Sequence, residues 1–203
     1  MAGPSDGEFA GIFVEGPTLH DDTIHLADYD ERWAEWFAGE ATRIRRALGD
    51  RAVTLAHVGS TSVPGLAAKP TIDIVMTVVD SAAETAYVPA LEAAGYTLRV
   101  REPAWFEHRL LKGPGPRVNL HVFSAGCPEV DRMIRFRDHL RANAADRQRY
   151  ERTKRELAAK RWKYVQHYAD AKSEVVAEIW TRIDASSERP DPGAAGTEPT
   201  TIV

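Results

Sequence analysis

Residues 57–76 read HVGSTSVPGLAAKPTIDIVM. Gly59-Ser60-Thr61-Ser62 places one glycine before three hydroxyls. Such a turn can cradle a phosphate, because glycine lets the backbone approach an anion and successive N–H groups and hydroxyls surround it. Gly-Ser turns are also common purely as turns, and the chain has no G-x-x-x-x-G-K-[ST] phosphate loop. Beyond the turn, Asp73 interrupts an apolar run, TIDIVMTVV over 71–79. A carboxylate in a buried strand is costly unless it is paired, hydrogen-bonded or bound to a cation. Asp73 is therefore the first candidate for chemistry.

Side chains alternate across a strand. Asp73 shares a face with Thr71, Val75 and Thr77, while Ile72, Ile74, Met76 and Val78 point the other way. In RVNLHVF (117–123), Asn119, His121 and Phe123 share one face. If the two strands are neighbours, Asp73, Asn119 and His121 converge on one polar spot that could ligate a divalent cation or position a substrate. Lys69, just before Pro70, could reach a phosphate as a point charge or could be an ordinary surface lysine. His57 reads first as a packed core histidine satisfied by backbone groups, and second as a substrate contact. Lys172 either snorkels from the apolar side of a helix or pairs with a carboxylate such as Asp73.

The elements that must position these residues follow from periodicity and caps. Asp30 is a good N-cap for a helix to Leu48, with Trp33, Phe37, Ala41, Ile44 and Leu48 on one side and Gly49 as the stop. VTLAHV (53–58) reads as a strand. The apolar run around Asp73 reads as a central strand, buried on both faces. Ser81 with Glu84 forms a capping-box pattern, and Pro89 divides the following stretch into two short helices ending at Gly95. YTLRV (96–100) is a strand, and WFEHRLLK, GPGP and RVNLHVF make a hairpin. Helices are expected at 128–142, 145–161 and 169–184, the last with Lys172, Val175, Val176, Ile179 and Ile183 along one side. Residues 1–23 read as a loose leader or an added edge. The sheet part spans 50–124 and the helical part 128–184, within one unit over 24–184. The tail, 185–203, is rich in Ser, Pro, Gly and Thr and is expected to be disordered.

The 203 residues carry a net charge of −4, but 132–163 alone holds twelve Lys or Arg against four acids. That segment is +8 and includes Arg137 and Lys154 as candidate anion contacts. Solvated helix faces with ion pairs explain the same composition. No RNA- or DNA-reading motif accompanies the charge, so nucleic acid is not the expected partner. No apolar run approaches the roughly 20 residues of a membrane helix. The start lacks the pattern of a signal peptide, and Cys127 is the only cysteine, so a cytoplasmic location is expected.

Gly59-Ser60 followed by Asp73-Ile74 in a strand resembles the signature of the DNA polymerase beta-like nucleotidyltransferase superfamily. The longer block HVGSTSVPGLAAKPTIDI resembles the GrpB family within it, as do YDERWAEWF, NLHVF, FRDHLR, YERTKRELA and YADAKSEVVAEI. The resemblance implies an α/β (α+β) fold, a nucleotidyltransferase-like mixed sheet flanked by helices with a C-terminal helical segment. It also implies transfer of a nucleoside monophosphate from an NTP to a small-molecule acceptor, with Mg²⁺ or Mn²⁺. Carried over, Gly59, Ser60, Thr61 and Ser62 hold phosphates with Lys69, Arg137, Lys154 and Lys172. Asp73 and His121 are the expected catalytic and metal-binding residues, and Asn119 and His57 contact substrate. Val75 stands where the signature has its second carboxylate. A single metal, a ligand supplied by substrate, and binding without chemistry are therefore all open. The family domain also occurs fused to dephospho-CoA kinase, which points to a nucleotide or coenzyme context.

Overall fold

The computed structural model describes residues 11–16, 19–115 and 117–187. The first ten residues of the expected leader, and 188–203 of the expected tail, lie outside the described residues. Five strands form one mixed sheet in the order β1-β2-β5-β4-β3: β1 (Thr54–Val58), β2 (Ile72–Val78), β3 (Thr97–Glu102), β4 (His108–Lys112) and β5 (Val118–Ser124). β2 pairs antiparallel with β1 and parallel with β5, and the other pairs are antiparallel. Backbone bonds from Val14 to Arg99 and from Arg101 to Ile12 cover the outer edge of β3. This edge role is one of the two readings open for the leader.

Helices cover both faces. On one, α1 (Arg32–Leu48) and α2 (Val88–Ala93) bury Ile44, Leu48 and Leu91 against Ile72, Ile74, Met76 and Val78 of β2 and Leu120 of β5. Asp30 accepts the Arg32 N–H at 2.9 Å and pairs with its guanidinium, and Gly49 closes α1 with φ 57° and an N–H bond to Arg45. On the other face, Val75 packs with Val58, Phe123 and Val130, under α3 (Pro128–Ala142). The alternation expected for β2 thus divides the two cores, and it leaves Asp73 on the α3 side, near the start of the strand.

The Ser81–Glu84 capping box does not form. The Ser81 hydroxyl meets the Ser124 hydroxyl at 3.0 Å, and Glu84 pairs with Arg101 at 2.7 Å and Arg109 at 2.6 Å. Two guanidiniums compensate the carboxylate better than one backbone N–H. The helical segment also differs from expectation. α4 (Ala144–Ala158) starts on an Asn143 cap that accepts the Asp146 N–H. The third expected helix is broken into α5 (Val165–Asp170) and α6 (Ser173–Ser187), with the Ser173 hydroxyl on the Asp170 carbonyl at 2.6 Å. Lys172 therefore lies at the break, its ammonium 4.7 Å from the Tyr168 ring, and not on the apolar side of a continuous helix.

The loop between β1 and β2 is held by these helices. Val63 and Leu66 are fully buried with Leu140, Tyr150, Val175, Ile179 and Ile183. Apolar burial of this kind is worth about 1.5–3 kcal/mol per large side chain, so the loop leading from Gly59 to Lys69 is a fixed part of the fold.

Candidate functional site

Gly59 follows β1 with φ 69° and ψ −174°, a backbone region that is essentially reserved for glycine. The register sets Val58 opposite Asp73, so the turn lies directly on the carboxylate. A Cβ at Gly59 would stand 2.5 Å from Oδ2 of Asp73. Conformation and space both require glycine here. Ser62 Oγ donates to the Gly59 carbonyl at 2.6 Å, and Thr61 Oγ1 donates to the Thr71 carbonyl at 2.9 Å. Thr61 and Ser62 are 2% and 4% exposed, so these two hydroxyls brace the turn instead of facing a ligand. Ser60, half-buried, has no side-chain hydrogen-bond partner among the described residues.

His57 is a core residue. Its ring stacks on Phe37 at 4.9 Å, and because Thr61 spends its one proton on Thr71, Nε2–H of His57 donates to Thr61 Oγ1 at 3.0 Å. The partner is a hydroxyl and not the expected backbone group. Burial pushes the His57 pKa down to about 4, with Asp73 opposing and Arg141 and Arg137 adding to the effect.

β2 and β5 are neighbours, with Asp73 opposite Asn119 and Val75 opposite His121. Asn119 Nδ2 donates to Asp73 Oδ1 at 2.7 Å, and Nε2 of His121 lies 3.8 Å from the same oxygen. Lys112, opposite Asn119 on β4, donates to Asn119 Oδ1. Burial favours the neutral form of Asp73, but His121, the Asn119 amide and Lys112 outweigh it and hold the pKa below the usual value. The Asp73 and His121 side chains are 27% and 21% exposed, so the cluster reaches solvent.

Cations surround this single carboxylate. Lys69 feels Asp73 attractively and Lys172 and Arg117 repulsively, and Lys112 feels Lys69 in turn. Burial is the main reason that both Lys69 and Lys112 have lowered pKa values. The side chains of Lys69 and Arg117 make no hydrogen bond or ion pair among the described residues. Lys112 and Arg117 were not singled out from sequence. The hairpin register, which sets Lys112 beside Asn119, was the signal that could have found the first.

Two expected anion contacts are bonded to backbone carbonyls. Arg137 donates to the His57 carbonyl at 2.9 Å and pairs with Asp138, and Lys154, 2% exposed, donates to the Ala67 carbonyl at 2.5 Å. Arg137 thus fastens α3 to the end of β1, and Lys154 fastens α4 to the β1–β2 loop. Desolvation lowers the Lys154 pKa to about 7.

The residues do not fit a pair of Mg²⁺ ions. Val75 is fully buried among apolar side chains, both ends of the Asn119 amide are taken, and Lys112 brings positive charge. Among the described residues no group of three or more His, Cys, Asp or Glu stands together to hold a metal. The arrangement offers one carboxylate, one imidazole and several cations, a set suited to an anion that also carries hydrogen-bond donors.

Residues 23–182 match the family model described as GrpB protein. The chain belongs to the GrpB family. A UPF0157 protein of Halalkalibacterium halodurans is 57% identical over 182 residues, 90% of this chain and 93% of that protein. The crystal structure of the conserved protein GrpB from Enterococcus faecalis superposes with a TM-score of 0.60 at 28% identity, over 80% of this chain and 96% of that one. A dephospho-CoA kinase of Mycolicibacterium paratuberculosis is 30% identical over 158 residues, 65% of this chain but 39% of that protein. The mixed sheet flanked by helices is thus a GrpB fold, and no helix among the described residues is long and apolar enough to cross a membrane.

Proposed function

We propose that this GrpB-family chain binds a nucleotide or coenzyme through its phosphates at the patch beside Asp73. One observation carries the reading: Lys69, Arg117 and the Ser60 hydroxyl stand without partners around the Asp73–Asn119–Lys112 chain. Cations that repel one another and share a single carboxylate are stabilised by an incoming anion. Asp73 limits that excess and supplies an acceptor for the rest of the ligand. The similarity to a dephospho-CoA kinase makes dephospho-CoA a natural probe beside ATP. Transfer of a nucleoside monophosphate is the further step that the superfamily resemblance implies, and release of pyrophosphate from ATP separates it from binding alone.

The test is calorimetric titration of the chain with ATP, dephospho-CoA and inorganic tripolyphosphate. Native protein is expected to bind at least one of them, and Lys69→Ala to weaken that binding roughly tenfold or more, since hydrogen bonds to charged groups contribute about 1.5–3 kcal/mol. No binding by native protein, or equal binding by Lys69→Ala, would overturn the reading.

A further inference from the structure

His121 does not face Asp73 alone. Its Nδ1 lies 3.1 Å from Nε2 of His108, and Nδ1 of His108 lies 2.6 Å from Oε2 of Glu102. Four side chains from four strands thus form one line across the sheet: Glu102 of β3, His108 of β4, His121 of β5 and Asp73 of β2. His108 is 3% exposed, stacked on Phe123 at 4.7 Å and met edge-on by Trp105 at 5.0 Å. No sequence motif announces this line, and the phosphate-binding reading does not use it.

Hydrogen-bond polarity decides what the line does. A carboxylate only accepts, so Nδ1 of His108 carries the proton shared with Glu102. Burial lowers the His108 pKa and favours the neutral ring, despite the opposing pull of Glu102. Nε2 of neutral His108 is then an acceptor, and Nδ1 of His121 must be the donor to it. The other nitrogen of His121, Nε2, faces Asp73 Oδ1 at 3.8 Å and offers a lone pair there whenever it carries no proton. In that form Nε2 and Oδ1 are neighbouring acceptors, each able to take one donor.

The geometry assigns Glu102 and His108 as the positioning pair of the site: they lock His121 in its Nδ1–H form, so that Nε2 and Asp73 together receive two donors of the ligand, from an amine or a pair of hydroxyls. This rests on the binding reading above and deepens it, because it names what the non-phosphate part of the ligand must offer. A nucleotide, with its two ribose hydroxyls, satisfies the pair, and a bare polyphosphate does not.

The test uses ¹⁵N-labelled full chain at alkaline pH, where two-bond ¹⁵N–¹H correlations report which imidazole nitrogen carries the proton. Native His121 is expected to be protonated at Nδ1 and bare at Nε2. His108→Phe keeps the stack on Phe123 but has no nitrogen, and should release His121 to a mixture of tautomers. The same variant should weaken ATP binding by up to roughly tenfold, one neutral hydrogen bond, and leave inorganic tripolyphosphate binding unchanged. Glu102→Leu, at a partly exposed position, should loosen the tautomer in the same direction and serves if His108→Phe does not fold. A bare Nδ1 in native His121, or the same tautomer in a folded variant, would overturn the lock. Equal weakening of ATP and tripolyphosphate would overturn the donor-reading role. Failure of native protein to bind either triphosphate would count against the phosphate reading, while the tautomer measurement still decides the lock.

Discussion

Residues 132–163 and the patch beside Asp73 are both rich in cations, and they use them differently. In the helical segment, Arg132 and Arg135 lie over Trp180, Arg149 pairs with Glu178, and Arg155 joins Glu151 to Asp28. Arg137, Arg141 and Lys154 donate to the carbonyls of His57 at the end of β1 and of Ser62 and Ala67 in the β1–β2 loop. Of the twelve basic residues there, only Arg152 and Lys160 lack a partner among the described residues. The patch has fewer cations, but the Lys69 and Arg117 side chains make no hydrogen bond or ion pair among the described residues. The lesson is that charge count and charge availability are separate quantities. The +8 segment is chiefly a set of fasteners that hold the loop on which the patch is built.

That contrast can be broken most severely at Gly59. Gly59→Ala adds a Cβ against Asp73 in a backbone region reserved for glycine. The expected outcome is a loss of about 2–4 kcal/mol in urea unfolding, from strain and overpacking together, with ATP binding abolished. A stable variant that binds normally would mean that the turn and the carboxylate are not one unit.

Acid provides the next largest effect. The folded pKa of His57 is about 4 and its ordinary value is 6.5. Between those values the unfolded chain takes up a proton that the folded chain refuses. Stability is therefore full above about pH 6.5 and falls as the pH drops toward 4, by up to about 3 kcal/mol. Urea unfolding at a series of pH values measures this, and His57→Gln should flatten the slope in that window.

Arg137→Met sharpens the comparison from the fastener side. It removes a charged donor from the His57 carbonyl, and is expected to cost about 1–3 kcal/mol. Its affinity for ATP, measured on the folded fraction, should stay within about twofold of native, because a residue that acts on stability alone leaves the binding constant of the folded state unchanged. A large fall in affinity with unaltered stability would return Arg137 to the ligand.

Much of the fold was legible. The apolar run 71–79, with Asp73 on the opposite face from Ile72, Ile74 and Met76, placed β2 inside the sheet, and the GPGP turn announced the β4–β5 hairpin. Strand alternation put Asn119 and His121 on one face, and their meeting with Asp73 needed the further condition that β2 and β5 are neighbours. What escaped was pairing. A basic residue in a sequence shows its charge but not its partner, so Arg137 and Lys154 looked free, while Thr61 and Ser62 looked available although local bonds consume them. His108 and Glu102 carried no signal, because their roles depend on which strands lie side by side. Ser81 and Glu84 matched a helix-start pattern, but two distant arginines won the glutamate.

The most direct measurement is backbone and side-chain NMR mapping of the chain during titration with inorganic tripolyphosphate. The largest shifts are expected at Ser60, Lys69, Lys112 and Arg117, with small ones at Arg152 and Lys160. Shifts concentrated on Arg152 and Lys160, with Ser60 and Lys69 unmoved, would contradict phosphate binding beside Asp73.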